Sequence, residues 1–257
     1  MTERIEMLVT VKAYPNISTK YGEVVCVAGV RTDTTDPAWV RLYPVEFRDI
    51  PWSQRFRKYQ FISFDAEVHG RDQRPESYRP HLDSLVPGEI LSTKRKDGWE
   101  RRRELVEPLH VESMCELLRR QAIDHTSLGV FRPESVTDFV VEPASGRSAA
   151  QDLWASQPTL LFPNKASLEE IPYRFSYRYS CGVDCPGHKQ SIIDWEIAEA
   201  FRTWPYDEAE RVEKMRDLWL ERMWAPDRDT SLFVGNQHLH PKGFLVLGVF
   251  WPPKRDD

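Results

Sequence analysis

An α+β fold is predicted, in which an N-terminal antiparallel β-rich sheet or small barrel packs on an α+β C-terminal half carrying a Cys/His metal-type loop. Three observations lead there. Short apolar or alternating runs recur through the first 70 residues, punctuated by proline and glycine, as antiparallel strands require. Apolar residues recur at helical spacing only later, in 111–121, 192–201 and 207–223. Between them, Cys181-Gly182-Val183-Asp184-Cys185-Pro186-Gly187-His188 puts two of the chain's four cysteines and a histidine within eight residues.

In chain order, Ile5–Val11 reads as a first strand. Val24–Val30 is a continuous apolar run, which suits a strand covered on both faces. Trp39–Tyr43 is a third strand, closed by Pro44. In Phe61–Val68, Ile62, Phe64, Ala66 and Val68 share one face. A helix over 111–121 turns Met114, Leu117 and Leu118 inward and sets Cys115 at or beside a helix interface. Residues 127–142 read as two short strands broken at Arg132-Pro133. The stretch Pro143-Ala-Ser-Gly-Arg-Ser148 is the best linker, which divides the chain into a module over 1–143 and a second half over 149–257.

The second half holds the brief apolar run Leu160–Phe162 and then Tyr173–Ser180. There Tyr173, Phe175, Tyr177 and Tyr179 alternate with Arg174, Ser176, Arg178 and Ser180, so this is a strand. After the cysteine loop, 192–201 reads as a helix. Asp207-x-x-Glu210 caps another, whose apolar stripe runs through Val212, Met215, Leu218, Trp219 and Met223. Ser231–Val234, a turn at Gly235-Asn236 and the strand Phe244–Trp251, stopped by two prolines, end the chain.

The chain has 257 residues, 40% of them apolar and 29% charged, enough for a large core and without an apolar run of membrane-spanning length. The N-terminus lacks the basic-then-apolar pattern of a secretory signal, so an intracellular, cytoplasmic protein is expected. Four cysteines make no disulfide framework, and a close pair in a reducing compartment points to metal or redox chemistry. Formal charge is -5 overall, made of +1 in residues 1–110 and -6 in 111–257. Any phosphate-binding face is therefore expected in the first part.

Thiolates at i and i+4 with an imidazole at i+7 converge on one ion only if the backbone bends sharply, and Gly182 with Pro186-Gly187 provides the bend. Cys181, Cys185 and His188 are therefore the predicted ligands of zinc, or alternatively of an iron-sulfur cluster. The first candidate for a fourth ligand is Cys26, a thiol on an apolar strand. His238 and His240 follow, and then Cys115. Four protein ligands would make the centre structural, whereas an open position would allow a bound water to react, with Asp194 or Glu196 as base.

Arg48, Arg55, Arg57 and Lys58 are interleaved with Phe47, Trp52, Phe56 and Tyr59. Arg71, Arg74 and Arg79 follow on a proline-stiffened loop, and six cations surround Trp99 within 94–103. Arg174 and Arg178 share one face of the strand that leads into the cysteine loop. Cations beside aromatic rings suit phosphate contact with base stacking. Asp65 and Glu67 share a strand face without a supporting lysine, and His69, His81, His110 and His125 are isolated. There is no Gly-rich phosphate loop, G-x-S-x-G elbow or H-E-x-x-H motif. The expectation is a metal- or cluster-stabilised nucleic-acid-binding protein. The alternatives are a metal or iron-sulfur enzyme acting on a nucleotide or small molecule at the loop, and a subunit that meets a protein partner through its nine tryptophans.

Overall fold

A computed structural model describes residues 2–18, 22–70, 72–146 and 168–255. Two sheets dominate it. The first contains β1 (Thr2–Lys12), β2 (Asn16–Ser18), β3 (Gly22–Arg31), β4 (Ala38–Val45), β5 (Gln60–Val68) and β6 (Ser77–Ile90), in the order β1-β5-β6-β4-β3-β2. Because β1 also pairs with β3, five of these strands close into a barrel and β2 hangs on its rim. All barrel pairings are antiparallel except β4 with β6. With β1, β3, β4, β5 and β6 taken as strands one to five, the closed order is 1-2-3-5-4, the connectivity of OB-type barrels.

Period-two alternation builds this barrel. Ile5, Met7 and Val9 of β1, Val25 and Val27 of β3, Val40 and Leu42 of β4, and Phe64 and Ala66 of β5 fill its interior. Closure needs β1 and β3 close together at Gly29, where a Cβ would meet the Leu8 carbonyl oxygen at 2.0 Å. The long β6 was not legible as a strand, because Pro80 and Pro87 interrupt it. Both prolines stand in register with β5, beside irregularities that absorb the missing donors.

The second sheet has the order β7-β11-β12-β10-β9-β8, made from β7 (Leu128–Phe131), β8 (Ser135–Pro143), β9 (Tyr173–Ser180), β10 (His188–Ile192), β11 (Ser231–Gln237) and β12 (His240–Phe250). The sheets do not divide at 143–148, since β7 and β8 precede that stretch and pair here. Residues 147–167, with Leu160–Phe162 and the end of the expected linker, lie outside the described residues. One face of this sheet, with Leu128, Val130, Phe233, Leu247 and Phe250, buries the outer barrel residues Leu8, Val11, Ala28 and Val30. β3 is thus covered on both faces, as its unbroken apolar run requires.

The four α-helices among the described residues are α1 (Gly98–Val106), α2 (Met114–Asp124), α3 (Trp195–Thr203) and α4 (Glu208–Arg216), the last continued by a π-helical turn over Asp217–Arg222. Ser113, Asp194 and Asp207 cap α2, α3 and α4 by accepting from the backbone N–H of Glu116, Glu196 and Glu210. Met114, Leu117, Ile197, Phe201, Met215 and Trp219 from this layer pack with Phe131, Phe139 and Tyr177 of the sheet. Two expectations shift. Residues 188–192 pair with β9 as a strand, so the helix begins only at Trp195. The turn expected at Gly235-Asn236 lies inside β11, where Asn236 N–H donates to the Ser127 carbonyl at 3.0 Å.

Candidate metal centre and barrel cleft

The β9–β10 hairpin carries the cysteine loop. Cys181 follows the last residue of β9, and His188 opens β10 directly across from Tyr179. Between them the Cys185 N–H donates to the Gly182 carbonyl at 3.1 Å, closing a tight turn. Gly187 has φ +82, a left-handed conformation that favours glycine. Its N–H points at Cys185 Sγ, 3.4 Å away.

Cys115 completes the group. Its sulfur lies 3.8 Å from Cys185 Sγ and 3.4 Å from His188 Nε2, and the ligand atoms of Cys115, Cys181, Cys185 and His188 all fall within 4.8 Å of one another. A tetrahedral ion with metal–sulfur bonds of ≈2.3 Å separates its sulfurs by about 3.8 Å. The donors therefore stand at single-ion spacing, and this Cys3His group can hold one metal ion.

Electrostatics favour anionic sulfur on one side of this group. Burial pushes the Cys181 thiol up to about 11, against hydrogen bonds from the backbone of Met114 and Cys115 in the first turn of α2. Burial also raises Cys115, and the neighbouring Cys185 adds to the shift. For Cys185, burial pushes up, but hydrogen bonds from the Cys181 and Gly187 backbone prevail and hold the thiol below its usual range. Burial lowers the His188 imidazole, which keeps it neutral and able to ligate. Tyr179 lies against that ring at 5.1 Å and donates to Gln190 Oε1.

Cys26, the first candidate for fourth ligand, lies elsewhere. It sits on β3, and its sulfur accepts from Arg41 Nη1 at 3.5 Å. Its apolar run belongs to the barrel, whereas the loop rests on the opposite side of the second sheet. The capping pattern Ser113-x-x-Glu116 was the usable signal for Cys115, since it sets a thiol in the N-terminal turn of a helix. His238 and His240 are also outside the group; His238 Nδ1 lies 3.4 Å from Asp72 Oδ1. Asp194 and Glu196 are not poised as bases, because both accept from Lys58 Nζ at 2.9 Å. Asp65 pairs with Arg4 and Glu67 with His81.

The predicted phosphate contacts scatter. Lys58 is corrected outright: its side chain is 5% exposed and joins the barrel to α3. Burial would lower its pKa, but Asp194 and Glu196 hold it well above the ordinary value. Arg48 pairs with Glu23, and Arg55 donates to the Ile50 and Arg48 carbonyls while stacking on exposed Trp52. Arg74 grips Asp72 through two nitrogens. Arg57, Arg79, Arg174 and Arg178 are exposed, with Arg174 3.7 Å from Glu142. Arg71 lies outside the described residues.

Sequence reading also missed a cleft of about 1040 Å³ between the barrel and the β11–β12 hairpin. Cys26 of β3 and Arg41 and Tyr43 of β4 form its barrel side, the β5–β6 loop adds His69, Asp72 and Arg74, and Arg79 stands on β6. Asn236 to His240 close it from the second sheet.

Two domain families match the chain, one described as Domain of unknown function (DUF8758) over residues 3–108 and one described as Domain of unknown function (DUF8757) over residues 110–257. No curated protein matches. A solved structure described as "Structure of murine DNA binding protein bound with ds DNA" is similar at 10% identity and a TM-score of 0.30, over 99% of this chain and 100% of that one, a likeness too slight to bear on fold or function. Among the described residues, no helix is long and apolar enough to cross a membrane. Since the second match spans more than half of its length, the chain belongs to the family described as Domain of unknown function (DUF8757).

Proposed function

We propose that this is a nucleic-acid-binding protein that holds a strand at the barrel cleft, with a structural zinc at Cys115, Cys181, Cys185 and His188. The observation that carries the reading is the position of the cleft. It opens beside Val24 and Cys26 of β3 and Arg41 and Tyr43 of β4, past the part of β3 that the second sheet covers, and is flanked by the β5–β6 loop, the region with which barrels of this connectivity bind oligonucleotides or oligosaccharides. That inference is one of fold-level analogy, and the cleft's side chains add chemistry to it. Arg41, Arg74 and Arg79 supply cations, and Tyr43 supplies an aromatic ring.

Zinc is favoured over an iron-sulfur cluster because the four donors crowd to the spacing of one ion, whereas cluster ligands bind separate irons and stand further apart. Four protein donors also favour a structural centre over a catalytic one. The zinc would tie the β9–β10 hairpin to α2.

Fluorescence anisotropy with labelled single-stranded oligonucleotides tests the reading. Two phosphate contacts, at Arg74 and Arg79, predict about a 7-fold loss of affinity between 50 and 200 mM salt. Binding that ignores salt, or no binding, would defeat it.

A further inference from the structure

The cleft contains a buried cation, Arg41, that makes no direct ion pair with a carboxylate among the described residues. Arg41 is 2% exposed. Its Nη1 donates to Cys26 Sγ at 3.5 Å and to the Asn236 carbonyl at 3.4 Å, and its Nη2 donates to the Ser127 carbonyl at 2.9 Å and to Ser127 Oγ at 3.0 Å. None of these acceptors is a carboxylate. Its Nε is buried without a hydrogen-bond partner among the described residues. Glu76 is the nearby acid: its carboxylate accepts from the Ser127 N–H and Oγ–H and its charge favours the guanidinium, but it makes no direct hydrogen bond to it.

A buried guanidinium lacking a direct counter-ion is costly, and an anion entering the cavity would relieve it. Two further buried atoms of cleft-lining residues, Asn236 Oδ1 and His69 Nδ1, have no hydrogen-bond partner among the described residues. The mouth is different in character: Val68 is 65% and Leu239 is 81% exposed, so both present apolar surface to whatever enters. The exposed rim thus sets Val68 and Leu239 among the polar side chains of Glu67, Arg79, Gln237, His238 and His240, while Arg41 lies buried. At about 1040 Å³ the volume lies at the upper end of small-ligand sites, which typically reach about 1,000 Å³.

We propose, building on the nucleic-acid reading above, that the cleft receives a terminal phosphate monoester carried on a nucleoside, with the phosphate on Arg41 and the nucleoside toward Val68 and Leu239. Asn236 Oδ1 accepts a hydroxyl of the sugar or phosphate. A terminal group fits better than an internal one, because a phosphate within a strand could reach the buried guanidinium only by dragging both flanking sugars to the floor. A free mononucleotide and a phosphorylated strand end present this same chemistry.

Calorimetric titration of the metal-loaded protein tests the assignment with four probes: a nucleoside 5′-monophosphate, the matching nucleoside, and a single-stranded oligonucleotide with and without a terminal phosphate. A charge-assisted contact of this kind should make at least one phosphorylated probe more than about tenfold tighter than its unphosphorylated counterpart. Preference confined to the mononucleotide identifies a free nucleotide, and preference confined to the oligonucleotide identifies a strand end. Arg41→Met should abolish the preference. As Arg41 also holds Ser127, a second variant at the exposed lip, Leu239→Glu, keeps the fold and should weaken the phosphorylated probes several-fold through repulsion. Salt-sensitive strand binding that is indifferent to the terminal phosphate would overturn this proposal and leave the nucleic-acid reading intact. Phosphate-dependent mononucleotide binding without any strand binding would do the reverse.

Discussion

Lys58 Nζ lies 2.9 Å from Asp194 Oδ2 across the seam between the barrel and the second sheet's helical layer, and neither side chain is more than 5% exposed. Glu196, half exposed, accepts from the same ammonium. Alongside, Ala13 bridges to Asp194 and the Tyr14 N–H donates to the Ile193 carbonyl. This seam holds the barrel against α3, and hence indirectly fixes the shape of the cleft.

Removing one partner of this pair strands the other. Lys58→Met should destabilise the fold by about 3–5 kcal/mol in urea denaturation, as expected for an uncompensated buried charge. A cost below about 1 kcal/mol, the range of exposed ion pairs, would contradict the buried geometry.

The Cys3His group separates two cysteines that the linear pattern ranked in the opposite order. The purified protein should contain one zinc per chain by elemental analysis. Cys115→Ser should lose it to a mild chelator and melt at lower temperature, because zinc affinity is part of folding free energy at such sites. Cys26→Ser should retain full zinc. Equal losses in the two variants would return Cys26 to the ligand set.

Gly187 tests the loop rather than the ligands. Alanine at φ +82 costs about 1–2 kcal/mol, so Gly187→Ala should weaken zinc binding by roughly tenfold with all four donors still present. An unchanged zinc affinity would mean that the turn does not set the donor geometry.

Lys12 gives stability a pH dependence of unusual sign. Its ammonium lies 3.4 Å from the Phe47 ring centre and 4.0 Å from that of Trp195. Burial pushes it down to about 7, with Glu199 opposing. Between about pH 7 and the ordinary lysine value of about 10.4, the unfolded chain binds a proton that the folded chain does not, so stability rises with pH across that window. Denaturation midpoints measured from pH 7 to 10 should climb, and Lys12→Met should flatten the climb. A pH dependence identical in wild type and Lys12→Met would mean that the rings keep Lys12 charged.

The sequence carried what short-range geometry controls. Alternation in Phe61–Val68 and Tyr173–Ser180 marked strands, and Asp207-x-x-Glu210 marked a helix start. Cys181, Cys185 and His188 announced themselves by a bend that only glycine and proline allow so cheaply. Pro80 and Pro87 hid β6, because proline ordinarily argues against a strand and the register irregularities that accommodate it have no local signature. Surface cations in Arg48–Lys58 looked alike in sequence, yet Lys58 is buried and Arg57 exposed.

Local spacing, then, was sufficient for most strands, the Asp207 cap and three of the four members of the Cys3His group, since each depends on residues a few positions apart. The fourth donor, the burial of Lys58 and the cleft around Arg41 arise only from packing the barrel and second sheet together. Cys115 is 73 residues from His188, and Arg41 is 195 from Asn236. At such separations periodicity holds no information about which side chains meet, because closure of the barrel and the burial of one sheet face on the other determine it.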